Sequence, residues 1–379
     1  MISCKIFYSL NELNQYDWDN VVKDDRFMSY DYLLHLSTSM SNGFSHRYLM
    51  VYDEKTPVAV ASMFTMKLDA GTLLDNNFLK GAVQTFRKFV KKAFYIRALV
   101  VGSPPSIGNK TIIVSNFCSN KNAVMDLIIS NIEDHAKAEK IKLILYKEYD
   151  QDFLHNFENS FAKYQYITGT SLPNNVLNIK WESFEPYLNS MKKKYRDSIK
   201  VSLKKIDNHI SIFCDHNLYD HYTEEAYSLY VNVLDKSNTV FETLSREYFR
   251  HSTRPSQINS ALISMYYDNK LIGYFLAADL SSTELGVLFA GIDYEYRKRY
   301  DTYFNLVYES IKLAMLRQKT KISFGQNSYD FKKRIGCVPE HLFVLYKHKN
   351  KLINNMLKKL NKYLFPTMKL EIKSIFKDD

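Results

Sequence analysis

The chain has 379 residues, 46% of them hydrophobic and 15% aromatic, which is material for two packed cores and a length that fits two or three globular domains of about 100 to 200 residues each. Its formal charge of +10 gathers in local runs that attract phosphates through space and by counterion release, so coenzyme A, nucleotide sugars, tRNA and anionic lipid are candidate partners. No window of about 18 residues is free of charge, so no membrane span is expected, and Cys4, Cys118, Cys214 and Cys337 lie too far apart for a disulfide framework or a zinc site, which favours reduced thiols.

The opening, MISCKIFYSLNELNQYDW, has no basic start followed by a long apolar run, which predicts no signal peptide and a cytoplasmic protein. A helix-like stretch over 27–38 precedes MVYDEKTPVAVASM (50–63), two apolar runs around an Asp-x-Lys turn, the pattern of a hairpin. Leu79, Val83, Phe86 and Val90 then form an apolar stripe among Lys80, Arg87, Lys88, Lys91 and Lys92, read as a solvated helix face. Val124, Leu127, Ile128 and Ile132 predict an amphipathic helix, and Ile141 to Tyr146 a strand. Gly169, Pro173 and two asparagines break periodicity between Thr168 and Asn175, where the first domain is expected to end.

Beyond that junction the order returns. Met191, Tyr195, Ile199, Leu203 and Ile206 form a stripe flanked by Lys192 to Lys194, Arg196, Lys200, Lys204 and Lys205, either a solvated face or a phosphate or substrate contact. A second helix-like stretch, 241–253, precedes MYYDNKLIGYFLAA (265–278), which matches 50–63 in Met, Tyr, Asp and Lys at an offset of 215. A strand from Leu285 to Asp293, a helix with Val307, Ile311 and Ala314, and a strand at Ile322 follow. Helix, hairpin, strand, helix, strand thus occurs twice, which predicts two similar domains. After the strand Leu342 to Tyr346, an amphipathic helix over 350–364 carries Ile353, Met356, Leu357, Leu360 and Leu364 on one face and lysines opposite.

No G-x-G-x-x-G, Walker P-loop or G-x-S-x-G elbow is present, which disfavours those nucleotide-binding folds and a serine hydrolase. The histidines are dispersed, and His216 and His221, five apart, do not share a helical face, so no metal is expected. The run KISFGQNSYDFKKRIGCVPEHLFVLYK (321–347) is the one place that hints at chemistry. Ile322 and Phe324 mark a half-buried strand, Phe331 and Ile335 one face of a short helix, and Gly336 its left-handed stop.

Strand, turn, short helix, glycine, strand resembles the end of the GNAT superfamily of N-acyltransferases. Lys332, four residues before Gly336, resembles a tandem subgroup that includes Fem-type peptidyltransferases and acyl-CoA-dependent N-acyltransferases. The resemblance implies an α/β fold of mixed sheets in two tandem GNAT-like domains, 1–168 and 175–347, with a basic helical extension over 348–379. It also implies an amide-forming acyltransferase. Lys332 would donate a proton or stabilise negative charge, with Tyr329 as an alternative acid. Asp293 would accept a proton from the acceptor ammonium, or only cap a turn. Gly291, Arg297, Lys298, Arg299, Gln326 and Asn327 would hold the donor, and Lys194, Tyr195 and Arg196 would contact substrate.

One departure bears on the donor. GNAT enzymes hold the coenzyme pyrophosphate on a glycine-rich loop at a helix N-terminus. YEYRKRYDTYFNL (294–306) has no glycine there, and GSPPSIGN (102–109) also fails the pattern, so the first domain is expected to be noncatalytic. Three readings stand. The first is acyl transfer from an acyl-CoA to a small-molecule or envelope-precursor amine. The second is Fem-like transfer from aminoacyl-tRNA. The third is a noncatalytic binding protein. None involves DNA, and peripheral membrane contact is not expected.

Overall fold

The computed structural model describes residues 2–40, 43–69, 95–105, 110–237, 243–252, 258–368 and 370–377. The basic stripe of 79–92 and part of GSPPSIGN lie outside them. The chain divides into two compact units, Met1–Leu172 with His341–Lys369, and Pro173–Glu340 with Leu370–Asp379.

The first unit contains β1 (Ile2–Phe7), β2 (Ser45–Asp53), β3 (Thr56–Asp69), β4 (Tyr95–Val101), β5 (Ile112–Val114), β6 (Leu143–Asp150) and β7 (Ile167–Thr170). Helices Lys121–Ala138 and Gln151–Lys163 start where Asn120 and Asp150 accept from the backbone N–H groups of Ala123 and Phe153, which satisfies otherwise orphaned donors. They bury Val124, Ile128, Phe153 and Phe161 in one core with Leu49, Val51, Ala61 and Met63 of the sheet.

The second unit contains β8 (Asn174–Asn178), β9 (Ile210–Asp215), β10 (Ala261–Tyr267), β11 (Lys270–Asp279), β12 (Glu284–Ile292), β13 (Lys321–Ser323) and β14 (Val338–Glu340), in the order β14-β8-β13-β12-β11-β10-β9. Helix Thr302–Leu316 is buried around most of its circumference, and Leu306, Val307 and Ile311 share a core with Ile263, Met265, Ile272, Phe275 and Ala277. Alternation sends Tyr274 and Phe289 into a separate aromatic cluster with Tyr222, Tyr230 and Phe249.

The hairpins repeat, but one residue away from the expected register. The bulge leaves Val58 unpaired in the first hairpin and Ile272 in the second, and the turns fall at 54–55 and 268–269. These are equivalent at an offset of 214. The core agrees, since Leu49, Val51, Val58, Ala61 and Met63 correspond to Ile263, Met265, Ile272, Phe275 and Ala277. The offset of 215 suggested by matching Met, Tyr, Asp and Lys would turn every side chain to the opposite face. Packing obeys the alternation, not identity in the turn.

Each sheet also takes a strand that sequence order would give to the other. β8 follows β7 closely, yet pairs with β13 and β14. Beyond β14, β15 (Leu342–His348) pairs with β6 and β7, completing the first sheet as β1-β2-β3-β4-β6-β15-β7 with β5 beside β3. The expected second domain, 175–347, therefore ends too late: its last strand belongs to the first unit. The expected extension, 348–379, is divided as well. Helix Lys351–Leu364 packs on β7 and β15, while Phe376 in the second unit bridges to Met191 and stacks near Trp181. Apolar alternation identifies a strand but not the ladder it joins.

Candidate functional site

β12 and β13 run parallel for three residue pairs, from Glu284 and Lys321 to Gly286 and Ser323. β12 then continues to Ile292, and among the described residues no strand pairs with it on that side. Val287, Leu288, Phe289 and Ala290 are half-buried there. A bulge places two β12 residues, Val287 and Phe289, against consecutive residues of β11, with Leu288 left between them. Bulges re-aim backbone groups, so this strand edge can present N–H donors to a carbonyl oxygen. Among the described residues of the first unit no such opening is seen, because β4 pairs with β6 up to its last residue, Val101 against Tyr146.

Beyond β13 the chain stays bonded to β8 while β12 continues without it. Phe324 N–H donates to Asn175 O at 2.9 Å, Asn175 N–H returns a bond to Gly325 O at 3.1 Å, and Asn175 Nδ2 donates to Gly325 O at 2.7 Å. Gly325 has φ +72°, a left-handed conformation that glycine adopts without strain. Lys332 completes this turn. Its Nζ donates to Phe324 O at 2.5 Å, Asn327 Oδ1 at 2.9 Å and Gly325 O at 3.4 Å. The residue is 1% exposed. Three acceptors suit the three donors of an ammonium, whereas burial pushes the pKa down to about 7.

Lys332 points inward because Phe331, its neighbour on helix Tyr329–Lys332, stacks on Phe304 at 4.1 Å between ring centres. Helix Tyr329–Lys332 continues into a 3-10 turn, Lys333–Ile335, which stops at Gly336 with φ +92°. Tyr187 OH donates to Ile335 O at 2.8 Å. Tyr329 OH donates to Pro173 O at 2.8 Å, and burial raises its pKa. Thus Lys332, Tyr329, Gln326 and Asn327 share one turn, but the lysine amine and tyrosine hydroxyl bond to the chain itself.

Several expected contacts take other partners. An added Cβ on Gly291 would meet the Tyr274 ring at 2.1 Å, so the missing side chain makes room for an aromatic ring. Asp293 receives Lys270 Nζ at 2.9 Å and the Glu295 N–H at 3.0 Å. Arg297, Lys298 and Arg299 are exposed, with Arg297 over Tyr294 and Arg299 over Tyr267 and Tyr300. On helix Lys193–Leu203, Lys194 is exposed, Tyr195 packs on the core and Arg196 donates to Met191 O at 3.4 Å. Among the described residues, no cluster of three His, Cys, Asp or Glu could hold a metal ion.

At the N-terminus of helix Thr302–Leu316, Asp301 occupies the cap position in a left-handed conformation, φ +45°. Its carboxylate accepts from Ser202 Oγ and Lys205 Nζ, both at 2.9 Å. The carboxylate makes no bond to the helix N–H groups, but it puts a negative charge and bulky neighbours at a helix end where close backbone approach of a pyrophosphate needs glycine. Sequence reading noted the absent glycine but missed Asp301, Asn175 and the Leu288 bulge. Consecutive asparagines inside a strand were the available signal, since asparagine is depleted in strands.

A family profile, FemAB-like, described as peptidoglycan biosynthesis/recognition, matches residues 9–370. The chain belongs to the FemAB-like family. No curated protein matches it. The crystal structure of FemX is similar at a TM-score of 0.60 and 11% identity, covering 93% of this chain and 100% of the other. A tandem GNAT protein from the clavulanic acid biosynthesis pathway gives 0.54 and 8%, covering 92% and 99%. The C-terminal domain of a putative lysylphosphatidylglycerol synthetase from Agrobacterium fabrum gives 0.53 and 8%, covering 96% and 100%. At these identities the likeness shows the tandem GNAT fold.

The Gly291 packing predicts a stability effect. Gly291→Ala should cost about 1 to 3 kcal/mol by overpacking against Tyr274, read as a lower urea midpoint. Tyr274→Leu in the same chain should recover part of that loss; an unchanged midpoint in Gly291→Ala would contradict the packing.

Proposed function

We propose that the second unit is an amide-forming transferase that takes its acyl group from an aminoacyl ester of tRNA, and that the acceptor is an amine of an envelope peptide precursor. The observation that carries the choice of donor is Asp301, held by Ser202 and Lys205 at the helix end where coenzyme A would place its pyrophosphate. Membership of the FemAB-like family supports the same reading, as do the exposed cations Arg297, Lys298 and Arg299 beside that end.

In this mechanism the acceptor nitrogen, after losing a proton, attacks the ester carbonyl in the opening along β12. An N–C bond forms, the C–O ester bond breaks, and a proton reaches the leaving ribose oxygen. Backbone N–H groups at the Leu288 bulge stabilise the oxyanion. Lys332 fixes the turn that holds the opening apart. In this reading Lys332 is a positioning residue, whereas the sequence offered it as a proton donor or a stabiliser of negative charge.

The test is a thermal-shift and binding series with acetyl-CoA, longer acyl-CoAs and a stable amide-linked aminoacyl-tRNA. The expected result is RNA binding that weakens with salt and no response to the thioesters. Stabilisation that depends on the acyl group of a thioester would restore the coenzyme A reading. No response to either would favour a noncatalytic protein.

A further inference from the structure

Helix Lys351–Leu364 turns inward a face that carries two asparagines. Asn354 Oδ1 accepts from His348 N–H at 2.9 Å and its Nδ2 donates to Gln165 O at 3.2 Å. Asn361 Nδ2 donates to Thr168 O at 2.8 Å, and its Oδ1 accepts from Tyr346 OH at 2.9 Å. Leu357 and Leu364 lie on the same helical face as these asparagines and are half-buried. The adjoining face is apolar and open: Leu352 is 80% exposed, Met356 and Tyr363 51% each, and Ile353 and Leu360 lie beside them.

The sequence reading expected Ile353, Met356 and Leu360 on the face opposite the lysines, and the structure leaves all three exposed. Isolated exposed apolar residues are ordinary, whereas a continuous helical arc marks an interaction surface. Its charge identifies the occupant. Residues 349–364 contain Lys349, Lys351, Lys358, Lys359 and Lys362 and no acidic residue. Lys140, Lys142 and Arg97 line a hollow of about 780 Å³ that also includes Ile353 and Tyr95. An apolar arc bordered by cations matches an anionic bilayer surface, where side chains enter the acyl boundary and lysines reach the headgroups. Among the described residues, no helix is long and apolar enough to cross a membrane, so this contact would be interfacial.

We infer that helix Lys351–Leu364 docks the protein on an anionic membrane surface. This does not depend on the identity of the acyl donor. It changes the sequence expectation, in which peripheral membrane contact is not expected.

The full chain is sedimented with vesicles of equimolar phosphatidylglycerol and phosphatidylcholine, and with phosphatidylcholine alone. Binding to the anionic vesicles is expected, with weakening at high salt. The Lys358→Gln, Lys359→Gln, Lys362→Gln chain should bind about 100-fold more weakly, at roughly fivefold per lysine. The Leu352→Gln, Met356→Gln, Leu360→Gln chain should lose binding while retaining its circular dichroism, because these side chains are exposed. No binding to anionic vesicles, or binding unchanged in both variants, would overturn the inference. A concentration-dependent dimer abolished by the apolar triple would also overturn it, since a second copy would then cover the face.

Discussion

Replacing Lys332 with methionine is expected to destabilise the second unit by about 3 kcal/mol. The side-chain volume is nearly kept, but Phe324 O and Asn327 Oδ1 lose the amine that bonds them, and each unsatisfied buried acceptor costs about 1 to 3 kcal/mol. Urea unfolding followed by aromatic fluorescence should show an earlier transition. Hydrogen exchange should locate the loosening to 324–327. A variant with the parent midpoint would show that the turn does not need the amine.

The same lysine predicts a pH dependence. Burial lowers its pKa in the fold from 10.5 to about 7. Between those values the unfolded chain binds the proton and the folded chain has released it, so stability rises with pH across this window. Below about 7 both states are protonated, and the cost of burying the charge is fully present. The slope approaches about 1.4 kcal/mol per pH unit at most, and the acceptors around Nζ reduce it by favouring the ammonium. Comparing the parent with Lys332→Met from about pH 7.5 to 9.5 isolates this group from titrating tyrosines. The parent should gain stability relative to the variant, and a constant difference would contradict the depressed pKa.

The second large effect is on donor binding. Arg297, Lys298 and Arg299 are exposed at the turn before helix Thr302–Leu316. Converting all three to alanine should leave thermal stability nearly unchanged and weaken tRNA binding by about 100-fold at 0.1 M salt. The salt slope should fall by about 2 to 3, because each phosphate contact contributes roughly 0.7 to 0.9. Anisotropy titrations at several salt concentrations read both quantities. Equal affinities and slopes in the two proteins would remove this turn from the donor site.

Much of the architecture was legible because burial leaves periodicity in sequence. Val124, Ile128 and Ile132 defined a helix, alternation around Asp53 and Asp268 defined two hairpins, and their recurrence showed the tandem fold. Register was less legible. Four matching residues near a turn indicated an offset of 215, whereas the Val58 and Ile272 bulges and the two cores set 214. Strand partnership was hidden as well, since nothing local in Leu342–His348 says that it joins β6 and β7.

The site was legible as a segment and opaque as geometry. The 321–347 run contains Lys332 and its turn, but sequence spacing could not show that the amine bonds to Phe324 and Gly325 carbonyls. Likewise, Gly291 resembles a ligand-approach glycine until Tyr274 is seen to occupy the space beside it. Asp301 was visible only as one polar residue among many; its contacts with Ser202 and Lys205 cross about a hundred residues.

The most direct test is to incubate the purified chain with bulk tRNA carrying radiolabelled amino acids and with an envelope peptide precursor bearing a free amine, alongside parallel reactions supplied with labelled acetyl-CoA. Label from tRNA should appear in an alkali-stable amide on the peptide, at a rate sharply reduced by alanine at Arg297, Lys298 and Arg299. Amide formed from acetyl-CoA, with none from tRNA, would contradict the assignment of the donor.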